Sequence, residues 1–200
     1  MIKKIEYNYF HWGPFLYKTK LNNKEINNIK KLCKKNSKKN CRKNLAGLIK
    51  NEYRIDKNKL FPIIFPYIDS YHKASYEHYN IRLDRQITLE NSWVNYMTKF
   101  ESNPIHTHDH DLSFVIFTHI SKQLKQEFNN TITSGHKPGF INFLISLNKD
   151  KQFISERSFE PKVGDFFIFP ASLNHYVNHF EAGGERISVS GNVSFNKDKK

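Results

Sequence analysis

The chain has 200 residues, ten histidines, two cysteines and a formal net charge of +13, which is enough length for one domain with a full core and too little for two comfortable ones. No apolar run approaches a membrane span, and "MIKKIEYNYF" lacks the apolar centre of a signal peptide. Cys33 and Cys41 have no CxxC spacing, which argues against a zinc knuckle or a disulfide framework and fits a reducing cytoplasm.

The positive charge is concentrated. Nine basic residues and one acid lie between Lys24 and Lys43, while the C-terminal half is closer to balance. A solvated surface is the favoured reading of this Lys- and Asn-rich run, with contact to nucleic acid or another anionic partner left open.

In chain order, "NNKEINNIKKLCKK" places Ile26, Ile29 and Leu32/Cys33 at helical spacing, with Asn22 or Asn23 as cap. "KKNSKKNCRKN" reads as a loop. In "LFPIIFPYIDSYHKASYEHYN", Pro66 is expected to open a helix that carries Ile68, Tyr71, Ser75 and Tyr79 on one face. His72 and His78 there are read as packing or surface residues.

After residue 86 the periodicity changes to two. "QITLENSWVNYMTKF" puts Trp93, Asn95 and Met97 on one side and Val94 and Tyr96 on the other, and Trp93 and Tyr96 are read as core. "LSFVIFTHI", "GFINFLISL", "GDFFIFP" and "ERISVSGNVSF" are short runs rich in β-branched and aromatic residues. The expectation is a single α+β domain over 1–200, with a mostly helical layer in 1–85 packed on a jelly-roll core in 86–196.

The chemistry concentrates in "NPIHTHDHD", where three histidines and two aspartates occupy residues 106–111. On a strand, His106 and His108 project to one face and can chelate one ion. A third ligand is then sought elsewhere, and His175 in "GDFFIFPASLNHYVNHF" is the candidate. An H-x-H followed far downstream by G-D-x-x-x-x-P-x-x-x-x-H matches the way double-stranded β-helix proteins bring ligands from non-adjacent strands to one end of the barrel. In "ERISVSGN", Arg186, Ser188 and Ser190 share a face. If that face looks inward, it lines a wet pocket whose fixed positive charge suits a carboxylate. His110 is expected to face solvent, and Asp109 to point away from His108.

From Trp93 to Asn192 these residues resemble the 2-oxoglutarate-Fe(II) oxygenases of marine phages and bacteria, through "NPIHTH", "DLSFV", "GDFFIFP", His175 and "ERISVSGN". "YFHWGPFLYKT", "RKNLAGLI" and "EYRID" are similar to that family's N-terminal region. The resemblance implies Fe(II) as metal, 2-oxoglutarate as cosubstrate and O2 as oxidant, with hydroxylation of an unidentified substrate as the default outcome. It also implies a cytoplasmic location (the host's, for a phage protein).

By the same resemblance His106 and His175 are metal ligands, and His108 stands where such enzymes usually carry a carboxylate. Asp111 is held as an alternative or supporting ligand. Arg186 and Ser188 fall where the far carboxylate of 2-oxoglutarate binds. Asn95 matches, more weakly, an asparagine that another branch places on the cosubstrate. The substrate pocket is sought in "HKPG" near 136 and in the helical layer. Two other classes compete: a cupin-type metal-binding protein or enzyme that does not use 2-oxoglutarate, and a basic module that grips nucleic acid through Lys30–Lys43.

Overall fold

A computed structural model describes residues 4–10, 13–34, 40–80, 86–131, 135, 137–148 and 153–196. Strands β1 (Tyr7–Phe10) and β2 (Leu16–Lys20) precede helix α1 (Asn23–Leu32), a 3-10 turn at Arg42–Asn44, β3 (Glu52–Arg54) and helix α2 (Lys57–Tyr79). Then come β4 (Gln86–Met97), β5 (Asn103–His106), β6 (Leu112–Ile120), helix α3 (Lys122–Asn130), β7 (Ile141–Asn148), β8 (Phe153–Phe159), β9 (Asp165–Pro170), β10 (Asn174–Val177) and β11 (Arg186–Asn196). Every strand pairing is antiparallel. A seven-stranded sheet runs β1-β2-β9-β6-β11-β4-β3, and a four-stranded sheet runs β5-β10-β7-β8.

The two-residue period of the strands sorts the large sheet's side chains into two cores. Val94 and Tyr96 of β4, Phe114 and Ile116 of β6, Phe166 and Ile168 of β9, and Val189 of β11 pack with Ile26, Ile29, Ile64, Ile68 and Tyr71 of the two N-terminal helices. Their alternates Met97, Val115, Phe117, Phe167 and Phe169 meet Ile141, Phe143 and Val177 of the small sheet. The inward residues of β11 and the middle of β4 are instead polar: Arg186, Ser188 and Asn95 are all buried. The space between the sheets is therefore apolar at one part and polar at another.

Local signals explain the helices. Asn22 caps α1 in a reciprocal box, its side chain accepting from the Glu25 N–H while the Glu25 carboxylate accepts from the Asn22 N–H. Pro66 does not open α2. The helix begins at Lys57 behind Asp56, whose carboxylate accepts from the Asn58 N–H at 3.0 Å, and both Pro62 and Pro66 lie inside it. Each proline removes one helical donor, but the buried face of Leu60, Ile64, Tyr67, Ile68 and Tyr71 holds the turns together. The first eighty-five residues also contribute β1, β2 and β3 to the large sheet, strands that the helical reading passed over, as it did β8 and α3. Of the lysine-rich loop, residues 35–39 lie outside the described residues. Cys33 and Cys41 are free thiols.

Gly191 sits where β11 lies between β4 and β6. A Cβ built there would meet the Asn91 carbonyl oxygen at 2.5 Å and Phe114 Cζ at 2.6 Å. Gly191→Ala is expected to destabilise the protein by about 1–3 kcal/mol through overpacking. Urea unfolding measures this, and a midpoint unchanged from wild type would show that the strands can spread to accept a methyl group.

Candidate metal centre and cosubstrate pocket

His106 closes β5 and stands opposite His175 of β10 in the small sheet's register. His108 lies two residues past the end of β5, not on a strand as the alternation suggested. Its turn is clamped instead, by His108 N–H donating to the Ala171 carbonyl at 2.9 Å and Ala171 N–H donating to the Asp111 carbonyl at 3.0 Å. The clamp ties the H-x-H turn to the segment that leads into His175. Among the described residues, His106, His108 and His175 are the group able to hold an ion, with one ligand atom from each lying within 4.8 Å of the other two.

Backbone contacts decide which nitrogen in two of these rings is free to bind an ion. His106 Nδ1 lies 2.7 Å from the Pro104 carbonyl and His175 Nδ1 lies 2.9 Å from the Leu173 carbonyl. A carbonyl only accepts, so in both rings Nδ1 carries the proton and Nε2 keeps its lone pair. Burial depresses the basicity of all three rings. His175 is pushed down to about 3 by desolvation, then by His106, against a smaller opposing pull from the Leu173 carbonyl; Phe143 and Phe169 pack beside it. His108 is pushed down to about 4 by desolvation and then by His106 and His110, and His106 is lowered chiefly by desolvation. Near neutral pH the rings are uncharged, the form that binds metal.

Arg186 is 2% exposed. Its guanidinium lies over the Phe117 ring at 4.7 Å and Nη1 lies 4.0 Å from Met97 Sδ, while Nε and Nη2 have no hydrogen-bond partner among the described residues. Burial with no anion beside it lowers the pKa of this group to about 9. An unpaired interior charge costs several kcal/mol, so these orphaned donors mark a place for an anionic ligand. Ser188 and Asn95 sit opposite each other on β11 and β4, with Asn95 Nδ2 donating at 3.4 Å to the hydroxyls of both Ser188 and Ser190. Asn95 Oδ1 is also unpartnered. Arg186, Ser188, Ser190 and Asn95 line one narrow cavity of about 40 Å³ together with the three imidazoles, and among the described residues no acidic side chain lines it.

Asp111 is not brought to the imidazoles. Its carboxylate accepts from the Phe195 N–H at 2.7 Å, and the residue lines a groove with Phe15, Tyr71 and Tyr79 of the helical side. His110 does not simply face solvent: it is half-buried, 3.5 Å from Asn91 Nδ2 and 3.4 Å from Ser194 Oγ. Trp93, read as core, lines the cavity with its ring 6.0 Å from that of His108. A wider groove of about 340 Å³ opens outside the imidazoles. It is walled by Asn91 and Asn192 and, from the N-terminal 1–85 region, by residues of the 41–46 segment and Arg54, which lie outside helices α1 and α2. Of "HKPG", His136 lies outside the described residues, and Lys137 lines a separate polar pocket with Asn142 and Arg157. Asn192 was findable as the next inward position after Ser190. Arg54 was not, because nothing local reveals that β3 pairs with β4.

Two packed sheets with a histidine cluster at one end and a buried cation beside it define a double-stranded β-helix metalloprotein. Residues 91–192 match the family described as "Putative 2OG-Fe(II) oxygenase", and the chain belongs to that family. It is an Fe(II)- and 2-oxoglutarate-dependent oxygenase. No curated protein matches the sequence.

Solved structures share the fold. A prolyl-4-hydroxylase from Pseudomonas putida has 14% identity over 92% of this chain and 95% of its own, with a TM-score of 0.58. The viral collagen prolyl hydroxylase of Paramecium bursaria Chlorella virus-1, solved with 2-oxoglutarate, has 10% identity over 90% and 96%, at 0.53. HygX of Streptomyces hygroscopicus, with nickel, 2-oxoglutarate and hygromycin B bound, has 10% identity over 90% and 83%, at 0.51. No described helix is long and apolar enough to cross a membrane.

The depressed imidazoles set an acid limit. The unfolded chain takes up protons near the ordinary histidine value of 6.5, whereas folded His175 and His108 take them up only near 3 and 4. Stability is therefore lost as pH falls through that interval. The metal-free protein is expected to lose thermal stability on acidification from pH 6.5 to 4, and His175→Asn to flatten that decline. Parallel curves for the two proteins would show that His175 is not buried in its neutral form.

Proposed function

We propose that His106, His108 and His175 hold Fe(II) through three neutral imidazoles, and that Arg186 with Ser188 binds the far carboxylate of 2-oxoglutarate while Asn95 supports the cosubstrate. The observation that carries this reading is Arg186: a guanidinium buried in the same cavity as the imidazoles, with donors that no protein group satisfies. The donor set fits iron, since imidazole is a common ligand for it and two of the rings have their lone pairs fixed by carbonyls. Iron bound there supplies the redox chemistry that couples oxidation of 2-oxoglutarate to succinate and CO2 with hydroxylation of a C–H bond by O2.

This chain's residues supply orientation and dryness. Arg186 fixes one end of the cosubstrate with charge-assisted hydrogen bonds in a low-dielectric pocket. Val115 and Phe169 wall the cavity against water, and Phe117 packs under the Arg186 guanidinium. A hydroxylation substrate enters by the wider groove, which shares Trp93, His106 and His108 with the inner cavity. Helices α1 and α2 act as a layer that backs the large sheet and keeps β4, β6 and β11 in register. Asp111 serves the fold by holding the β11 backbone at Phe195.

The wild-type protein with Fe(II) and O2 is expected to convert 2-oxoglutarate to succinate slowly without its primary substrate, and Arg186→Ala to lose this by more than about tenfold. Equal succinate from both would remove Arg186 from the cosubstrate site, and none from either would favour a cupin-type enzyme that does not use 2-oxoglutarate. Arg186→Met should also bind 2-oxoglutarate far more weakly by calorimetry, yet unfold at the same or a higher temperature when ligand-free, because an unpaired interior charge is gone.

Direct metal titration separates the ligand candidates. His108→Ala is expected to weaken Fe(II) affinity by at least about tenfold, whereas Asp111→Asn should leave it unchanged and lower only stability. The opposite pattern would make Asp111 the third ligand.

A further inference from the structure

We propose that the primary substrate carries a carboxylate or phosphate group and that Arg54 receives it at the mouth of the site. This inference rests on the assignment of His106, His108, His175 and Arg186 above and extends it to the substrate.

The first observation is position. The 340 Å³ groove shares Trp93, His106 and His108 with the inner cavity, so a molecule seated in it abuts the metal centre. Arg54 stands directly opposite Trp93 in the β3–β4 register, one inward position from the Glu52–Asn95 pair. It lines the groove, is exposed, and forms no ion pair among the described residues. A volume of this size suits a small molecule or a single side chain.

The second observation is charge. Three imidazoles bring no negative charge to the centre, and among the described residues no acid lines the inner cavity. Fe(II) and Arg186 contribute three positive charges, of which the 2-oxoglutarate dianion cancels two. A carboxylate at position 108 would have cancelled the last one. The loaded site thus keeps a net positive charge in a poorly solvated place, where an anion gains more than it does in water. Asp109 is the one acid lining the groove, and it is exposed to solvent.

The walls suit an oxyanion as well. Ser113 Oγ donates to Asn192 Oδ1 at 2.8 Å, and Asn192 Nδ2 donates to Asn91 Oδ1 at 3.0 Å. With its oxygen engaged, Asn91 lines the groove and has its Nδ2 3.5 Å from His110 Nε2. The basic run that starts at Lys24 ends here: Cys41 and Asn44 line the groove, and the exposed Arg42 and Lys43 lie between them in sequence. A rim of this sign draws in anions from solution.

The test is anaerobic titration calorimetry of the full chain loaded with Fe(II) and 2-oxoglutarate, using acetate, methyl phosphate and glycerol as probes. Wild type is expected to bind at least one of the two anions and not glycerol. Arg54→Met should weaken that binding by about tenfold or more, the loss of a charge-assisted contact, with Arg54→Lys falling between. Affinity for 2-oxoglutarate should stay within about twofold in all three proteins, since Arg54 lies outside the inner cavity. Preference between acetate and methyl phosphate identifies the group. Anion binding no better than glycerol, or equal in wild type and Arg54→Met, overturns the proposal while leaving the cosubstrate assignment intact. Failure of wild type to bind 2-oxoglutarate at all overturns both.

Discussion

A guanidinium in a dry interior with nothing to hold is the constraint on which the rest of this structure turns. Arg186 lies at the start of β11, against Phe117 and Met97, and forms no ion pair among the described residues. Folding such a charge is unfavourable by several kcal/mol. The chain offsets it through the other face of the same strand, where Ile187, Val189, Val193 and Phe195 pack toward the helices. Alternation along one strand thus assigns stability to one side of the sheet and ligand recognition to the other. The same division runs through β4, with Val94 and Tyr96 outside and Trp93, Asn95 and Met97 inside.

The imidazoles are held differently. Arg186 and Asn95 ride on long central strands with neighbours on both sides, whereas His106 and His175 sit on four-residue strands and His108 on a turn. Carbonyls of Pro104 and Leu173, each two residues before its histidine, set the ring orientation. Backbone, not side-chain packing, does most of the aiming. The cross-link between the 106–111 turn and Ala171 then keeps the two halves of the cluster from drifting apart.

Much of this was legible in the order of residues because it rests on period. The two-residue alternation in "SWVNYM" and "RISVS" puts Asn95 on one face with Trp93 and Met97, and Arg186 on one face with Ser188, without any knowledge of pairing. Where chemistry depended on contacts between distant segments, the letters were silent. Arg54 reaches the groove only because β3 joins the edge of the large sheet, and Asp111 is drawn to Phe195 by a backbone donor that no local pattern announces. The placement of Pro66 shows a third kind of failure. A proline rule that is sound for isolated helices gave way to a long buried face and to the capping signal of Asp56, ten residues earlier.

Among the described residues β5 is an edge strand, hydrogen-bonded on one side, to β10. Edges of this kind fray first, since half their backbone groups answer to solvent. In the proposed arrangement an ion shared between His106 and His175 would staple that loose margin to its single neighbour. Loading the centre and firming the sheet's border would then be one event, and protection of the amides in 103–108 against hydrogen exchange would report occupancy as directly as any assay of turnover.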